Sequence, residues 1–312
     1  MQHLKVCFIG VGSIAMRHIR NLQRVCEKRG IELQMDAVRR IGSNSQIDGI
    51  TSIYTNVEQM TGDYDVIFIT NPTDLHLETL KAYHGKGKNF FIEKPVVSLR
   101  QIELAEEFRL RKESVYYVAA PLRYNAVIQW VKQNIQPVEV ISIRSISSSY
   151  LPDWRPGQDY RTTYSAHKDM GGGVSIDLIH EWDYLTYLFG WPEKVYSLIG
   201  KKSNLKIDSD DYAIYIAEFE DKVAELHLDY FGRKTIREVQ LFTKDDTIVG
   251  DIVNNQIRFL KSGKEIDFQE ERDDYQKREL SYFLDMIFEN KVQENSYYHG
   301  INLLKLTQGI SK

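Results

Sequence analysis

In the stretch Gly171–Gly190, GGGVSIDLIHEWDYLTYLFG, a carboxylate and an imidazole stand close together, at Asp177 and His180. On one helix of period 3.6, Asp177, His180, Tyr184 and Tyr187 share a stripe, and Leu178, Trp182, Leu185 and Phe189 share nearly the opposite one. The apolar stripe can pack into a core. The other then offers a proton-passing pair, since an imidazole ionising near pH ~6.5 suits general acid–base work. A solvated helix face has the same composition. The glycine triplet ahead of it, without Cβ atoms, can let backbone approach a ligand closely.

A second set lies near the start. Gly10-Val11-Gly12-Ser13-Ile14-Ala15 reads G-x-G-x-x-A between an apolar run and an amphipathic one. Glycines there permit a tight turn and close approach of a pyrophosphate, whose charge the helix N-terminus favours. A structural glycine turn is the plain alternative. The next apolar run ends in Val38-Arg39-Arg40, with Gly42-Ser43 behind it. An acidic residue there would hold the ribose 2′-hydroxyl of NAD, and Asp36 lies too far inside the run for that. Arg39, Arg40 and Ser43 suit a 2′-phosphate, so NADP is expected over NAD unless both arginines are simply solvated.

Elements able to position these groups are legible in the apolar pattern. Runs at Lys5–Ile9, Leu33–Val38, Asp65–Thr70, Asn89–Ile92 and Val115–Ala119 read as strands. Amphipathic stretches at Ile14–Arg29, Leu75–His84 and Leu99–Lys112 lie between them, the alternation of a parallel sheet with crossover helices. After Pro121 the style changes. A helix over Tyr124–Asn134, a strand over Val138–Ser149 and a Trp/Tyr/Arg-rich loop, Tyr150–Met170, lead to the glycine triplet. Strand-like runs follow at Tyr212–Phe219, Val223–Phe231, Ile236–Thr243, Thr247–Ile252 and Gln256–Leu260, separated by turn signals as in an antiparallel sheet. Amphipathic stretches Asp274–Glu289 and Tyr297–Ile310 close the chain. The expected fold is α/β: a doubly wound Rossmann domain over 1–121, then an α+β domain over 122–312 with a largely antiparallel open sheet.

The 312 residues are 42% hydrophobic and 27% charged, ordinary for a soluble globular protein. Forty basic against 44 acidic residues, a formal charge of −4, supply no attraction for nucleic acid or an anionic membrane. No apolar run approaches the ~18 residues of a membrane helix. The start, MQHLKVCFIGVG, reads as a first strand rather than a signal peptide. Two cysteines, Cys7 and Cys26, make no disulfide framework, which points to a reducing, cytoplasmic setting. The histidines form no HExxH or His/Cys cluster, so no metal is expected.

Further motifs stand after two of the strands. Asn71-Pro72-Thr73 with His76 follows one, and Glu93-Lys94-Pro95 follows the next. Together with the glycine fingerprint and the GGG…Asp177…His180-x-x-Asp183 segment, in that order, they resemble the Gfo/Idh/MocA oxidoreductase family. Arg123-Tyr124 is similar to the arginine–aromatic pair that opens that family's next helix, and the resemblance covers nearly the whole chain. One departure is that acid and histidine are usually four residues apart in the family and are three apart here. The resemblance implies an NAD(P)-dependent oxidoreductase acting on a sugar, cyclitol or nucleotide-linked sugar. Lys94 would favour an alkoxide or polarise a carbonyl, His180 would act as acid/base, and Asp177 would bind a hydroxyl or orient the imidazole. It implies cofactor contacts from Gly10, Gly12, Ser13, Ile14, Ala15, Asn71, Pro72, Thr73, His76, Glu93 and Lys94. It also implies a homodimer or homotetramer paired through the second sheet. Arg123, Tyr124, Trp154, Arg155, Tyr160 and Arg161 suit a polar substrate, by stacking and by gripping phosphate or carboxylate; the loop among them would equally suit a dimer interface. Relatives of this fold also reduce dihydrodiols or tetrapyrroles, and some are cofactor-binding regulators without catalysis.

Overall fold

The structure, a computed structural model, describes residues 2–39 and 46–310. The chain divides into two compact units, Met1–Ala119 with Arg272–Ile301, and Ala120–Glu271 with Asn302–Lys312.

The first unit runs through β1 (Gln2–Ile9), α1 (Ser13–Arg29), β2 (Ile31–Val38), β3 (Ser52–Tyr54), β4 (Tyr64–Ile69), α2 (His76–Tyr83), β5 (Gly87–Ile92), α3 (Ile102–Glu106) and β6 (Tyr116–Val118). Its strands make one parallel sheet in the order β3-β2-β1-β4-β5-β6. A parallel strand covered on both faces has no solvent side, which is why Val6–Ile9, Val66–Ile69 and Phe90–Ile92 are buried residue after residue. Phe8 and Phe91 flank Phe68 across the strands, with ring centroids 4.5 and 4.9 Å from it. Strand order reverses between β1 and β4, the switch point at which open α/β sheets bind ligands. Two expectations are corrected. The short strand β3 was not anticipated. The helix expected over Leu99–Lys112 is a 3-10 turn followed by α3, because Phe108 leaves the helical path to pack on His84 and Tyr297, at 5.1 and 6.1 Å.

The second unit holds α4 (Ala126–Asn134), β7 (Val140–Tyr150), α5 (Val174–Asp177), α6 (His180–Phe189), β8 (Lys194–Gly200), β9 (Tyr212–Glu218), β10 (Val223–Asp229), β11 (Phe231–Thr243), β12 (Thr247–Asp251), β13 (Gln256–Phe259) and β14 (Glu265–Asp267). Its eight strands run β14-β13-β12-β11-β7-β10-β9-β8, antiparallel except for the β7–β10 pair. Alternation shows one covered face. Ala213, Tyr215, Ala217, Leu226 and Leu228 are buried, whereas Tyr196, Leu198, Ile216 and Val223 are exposed. Trp182 meets Tyr215 edge-on at 5.3 Å, and the Tyr184 hydroxyl lies 2.6 Å from Ser145 Oγ, so α6 packs on the covered face.

The chain continues through α7 (Asp274–Phe288) and α8 (Tyr297–Leu306). Leu280, Phe283, Leu284 and Met286 of α7 join the core beneath α1, and Arg29 reaches Asp285 at 2.6 Å. The segment Arg272–Ile301 thus belongs with the first unit, a return for which a single boundary at 121/122 leaves no place. No helix among the described residues is long and apolar enough to cross a membrane.

Candidate active site

The fingerprint forms the β1–α1 turn at the switch point. Gly10 has φ +87°, and a Cβ there would sit 2.7 Å from the Asn71 Cα, so this close approach of the β1 and β4 ends requires glycine. Thr70 Oγ1 donates to the Gly10 carbonyl at 2.7 Å and locks the two loops together. A Cβ on Gly12 would meet nothing within 4 Å, and no side chain caps the N-terminus of α1. Ser13 is exposed, Ile14 half-buried, and Ala15 is buried against the sheet. Helix N–H groups facing an open cradle fit a pyrophosphate. Asn71 Nδ2 donates to Thr79 Oγ1 at 2.7 Å, while its buried Oδ1 has no partner among the described residues, an acceptor left over for a bound group. Pro72 is exposed and Thr73, half-buried, begins the 3-10 turn. Asp36 is fully committed inside the sheet: Oδ1 accepts from Ser52 N at 3.0 Å and Oδ2 from the Tyr64 hydroxyl at 2.8 Å. Arg39 donates its backbone N–H to the Tyr54 carbonyl at 3.0 Å. Arg40 and Ser43 lie outside the described residues.

Lys94, half-buried, stands two residues past β5 and is joined to Pro95 by a cis peptide bond. Glu93 Oε2 accepts from the Lys94 N–H at 3.2 Å, and Glu93 Oε1 lies 2.5 Å from Nε2 of His18, a buried side chain of α1. Burial alone would push the Glu93 carboxyl up; the His18 hydrogen bond and the charges of His18, Lys94 and His76 outweigh it and hold the group below its ordinary value. His76 sits between two carbonyls, Nδ1 3.0 Å from Pro95 O and Nε2 2.9 Å from Asn71 O, and burial pulls its pKa down. Glu93 and His76, expected as cofactor contacts, brace the loops that carry Lys94 and Asn71. His18 was not anticipated. Its signal was a titratable residue on the buried stripe of α1, between Ala15 and Ile19.

Asp177 and His180 do not share one helix. Leu178, with φ −97° and ψ 29°, breaks the path, so Asp177 ends α5 and His180 begins α6. Nor is theirs a solvated stripe: Asp177 and Tyr184 are buried, and His180 and Tyr187 half-buried, because α6 packs against the sheet. Tyr230, at the β10–β11 junction, donates to Asp177 Oδ2 at 2.6 Å. No motif signals that residue. The glycines serve the chain's own packing: a Cβ on Gly172 would meet the Tyr164 carbonyl at 2.0 Å, and one on Gly173, φ +133°, would meet Asp210 Oδ1 at 2.2 Å.

Arg123 is buried, with Nε 2.9 Å from Asp183 Oδ2 and Nη2 2.8 Å from Oδ1. This bidentate pair anchors α6 and commits the guanidinium, expected to meet substrate, to the protein itself. Tyr124 beside it is buried. In the loop, Trp154 Nε1 donates to Ser149 Oγ at 2.8 Å, and Arg155 lies 5.4 Å from the Tyr164 ring centre. The Tyr160 hydroxyl accepts from Lys206 N at 3.2 Å, and Arg161 pairs with Asp159 at 2.6 Å. Arg155 and Arg161 are the exposed members.

Residues 4–119 match the model of an oxidoreductase family with an NAD-binding Rossmann fold, and residues 128–243 that of the GFO/IDH/MocA C-terminal domain. An uncharacterized oxidoreductase from Bacillus subtilis (strain 168) is 28% identical over 188 residues, 58% of this chain and 52% of that protein. The matching region spans about half the length of such curated relatives. The solved structure of levoglucosan dehydrogenase in complex with NADH superposes with a TM-score of 0.86 at 16% identity, covering 99% of this chain and 96% of the other. A UDP-N-acetylglucosamine 3-dehydrogenase from Acidithiobacillus ferrooxidans gives 0.78 at 18%, covering 100% and 97%. At these identities the shared property is the fold.

Proposed function

The chain belongs to the Gfo/Idh/MocA family of NAD-binding oxidoreductases, and from that premise we propose that it oxidises or reduces a carbinol or carbonyl carbon of a sugar, cyclitol or nucleotide-linked sugar. The observation that carries this is Lys94, placed past the carboxyl end of β5 and braced on both sides by Glu93 and Pro95. A nicotinamide dinucleotide, held by the Gly10–Ala15 turn, supplies the hydride acceptor or donor. Lys94 stabilises the developing alkoxide or polarises the carbonyl. His180 takes or returns the hydroxyl proton, and Asp177 accepts a hydrogen bond from a substrate hydroxyl. Arg155, Tyr160, Trp154 and Arg161 form the loop that meets the rest of the substrate.

NADP is the preferred cofactor in this reading. The support is Asp36, whose two oxygens are already occupied within the sheet, together with the sequence Arg39-Arg40 and Ser43 that follows β2 and suits a 2′-phosphate. Cys7 and Cys26 are free, buried thiols, which supports a reducing, cytoplasmic setting. The exposed apolar row Tyr196, Leu198, Ile216 and Val223 supports pairing of the second sheet with a like copy, and a monomer by light scattering at micromolar concentration would remove that assignment.

The purified protein is tested with NADP⁺ and NAD⁺ against a panel of sugars, cyclitols and nucleotide sugars, following reduced nicotinamide by absorbance. Turnover of at least one is expected, with NADPH bound about tenfold more tightly than NADH, the worth of roughly one charge-assisted hydrogen bond. Cofactor binding without turnover of any substrate class would favour a regulator and defeat the proposal.

A further inference from the structure

Asp177 is 5% exposed, and what surrounds it is unusual for a carboxylate expected to exchange protons. Tyr230, fully buried and 53 residues further on, donates to Oδ2 at 2.6 Å. Its ring is held edge-on by Trp154 at 5.2 Å, and its backbone bonds to Asp211 O and Leu151 N at 3.0 and 2.9 Å. The Asp177 charge also raises the pKa of Tyr164, in the loop alongside, which is 38% exposed. Gly172 lets the chain pass close to that loop, since any Cβ there would collide with the Tyr164 backbone.

We propose that Tyr230 is a positioning residue that clamps Asp177, a fixed anchor set by its own buried surroundings. A carboxylate offers about four lone-pair sites, so one short phenolic bond to Oδ2 can orient its plane for a substrate hydroxyl. Asp177 is thereby an oriented acceptor, and proton transfer falls to His180. The Tyr230 phenol stays a donor over the working pH range, because burial, and then the Asp177 charge, raises its pKa. The part Asp177 plays in turnover rests on the proposed function; the clamp itself does not.

Tyrosine labelled with ¹³C at Cζ, assigned through Tyr230→Phe, reports ionisation by NMR without cofactor or substrate. Asp177→Asn is expected to bring the Tyr230 ionisation down by about one pH unit or more, the effect of removing a neighbouring charge. An unmoved Tyr230 signal would overturn the clamp, whatever the enzyme's substrate. The isosteric Tyr230→Phe variant gives the second reading. It should raise the substrate KM about tenfold, the worth of orienting a binding group, with kcat changed less. An unchanged KM overturns the positioning role. Lack of turnover by the wild type defeats the proposed function and leaves the NMR result standing.

Discussion

The Lys94 segment and the Asp177–His180 segment each present a chemically useful side chain, but they are held in opposite ways. Lys94 is braced first by its motif neighbours: Glu93, itself held by His18 of α1, takes its backbone N–H, and the Pro95 carbonyl lies against His76 at the start of α2, 19 residues back. Asp177 and His180 flank a helix break and depend on distant chain. Tyr230 is 53 residues from Asp177, and Arg123 is 60 residues from its partner Asp183. A site built from a short motif tolerates remote change. One built by tertiary contact transmits it.

The sharpest test of that contrast is Arg123→Ala. Removing the guanidinium takes the bidentate cation from the buried Asp183 carboxylate, and breaking a buried pair costs about 3–5 kcal/mol in comparable cases. Urea unfolding of the second unit should show a loss of that order, and a loss as small as that of an exposed pair would mean α6 is held by packing alone. Next in size, Lys94→Ala and His180→Ala should each lower kcat by about two orders of magnitude, the usual worth of acid–base or electrostatic groups. Near-wild-type rates in both would dissolve the comparison, because neither segment would then carry chemistry.

The same contrast explains what could be read in advance. The parallel sheet was legible because strands buried on both faces read as unbroken apolar runs, and the second sheet because one covered face imposes alternation. Gly10, Lys94 and Pro95 were legible as motif. The break at Leu178 was not, since Asp177, Leu178 and Ile179 are compatible with a continuous helix. Tyr230 was hidden because its partner lies across a fold that local pattern does not encode. Arg123 and Glu93 were noticed as members of motifs, yet a motif does not say whether a group faces a ligand or its own protein. The first unit's return through α7 was invisible for the same reason: an amphipathic helix shows a face without naming what covers it.

Glu93→Gln tests the motif side with a smaller effect. The amide still reaches the Lys94 N–H but replaces the charge paired with His18 at 2.5 Å, so the brace loosens without a cavity. Turnover should fall about tenfold through misplacement of Lys94, with substrate KM nearly unchanged. A larger fall, equal to that of Lys94→Ala, would make Glu93 part of the chemistry itself.

The pH dependence of stability gives the finest discrimination. The folded Glu93 carboxyl lies below its ordinary value, because the His18 bond and nearby positive charges more than offset burial. A group depressed in this way stabilises the fold above its unfolded pKa, about 4.3, and loses that contribution as pH falls through the lower folded value. Glu93→Gln lacks the contribution at every pH. The difference in thermal unfolding temperature between wild type and variant should therefore be full near pH 7 and narrow as the pH falls below about 4.3. A gap independent of pH would place the effect in packing, and the Glu93 brace would then resemble the tertiary hold on Asp183 more than a local electrostatic one.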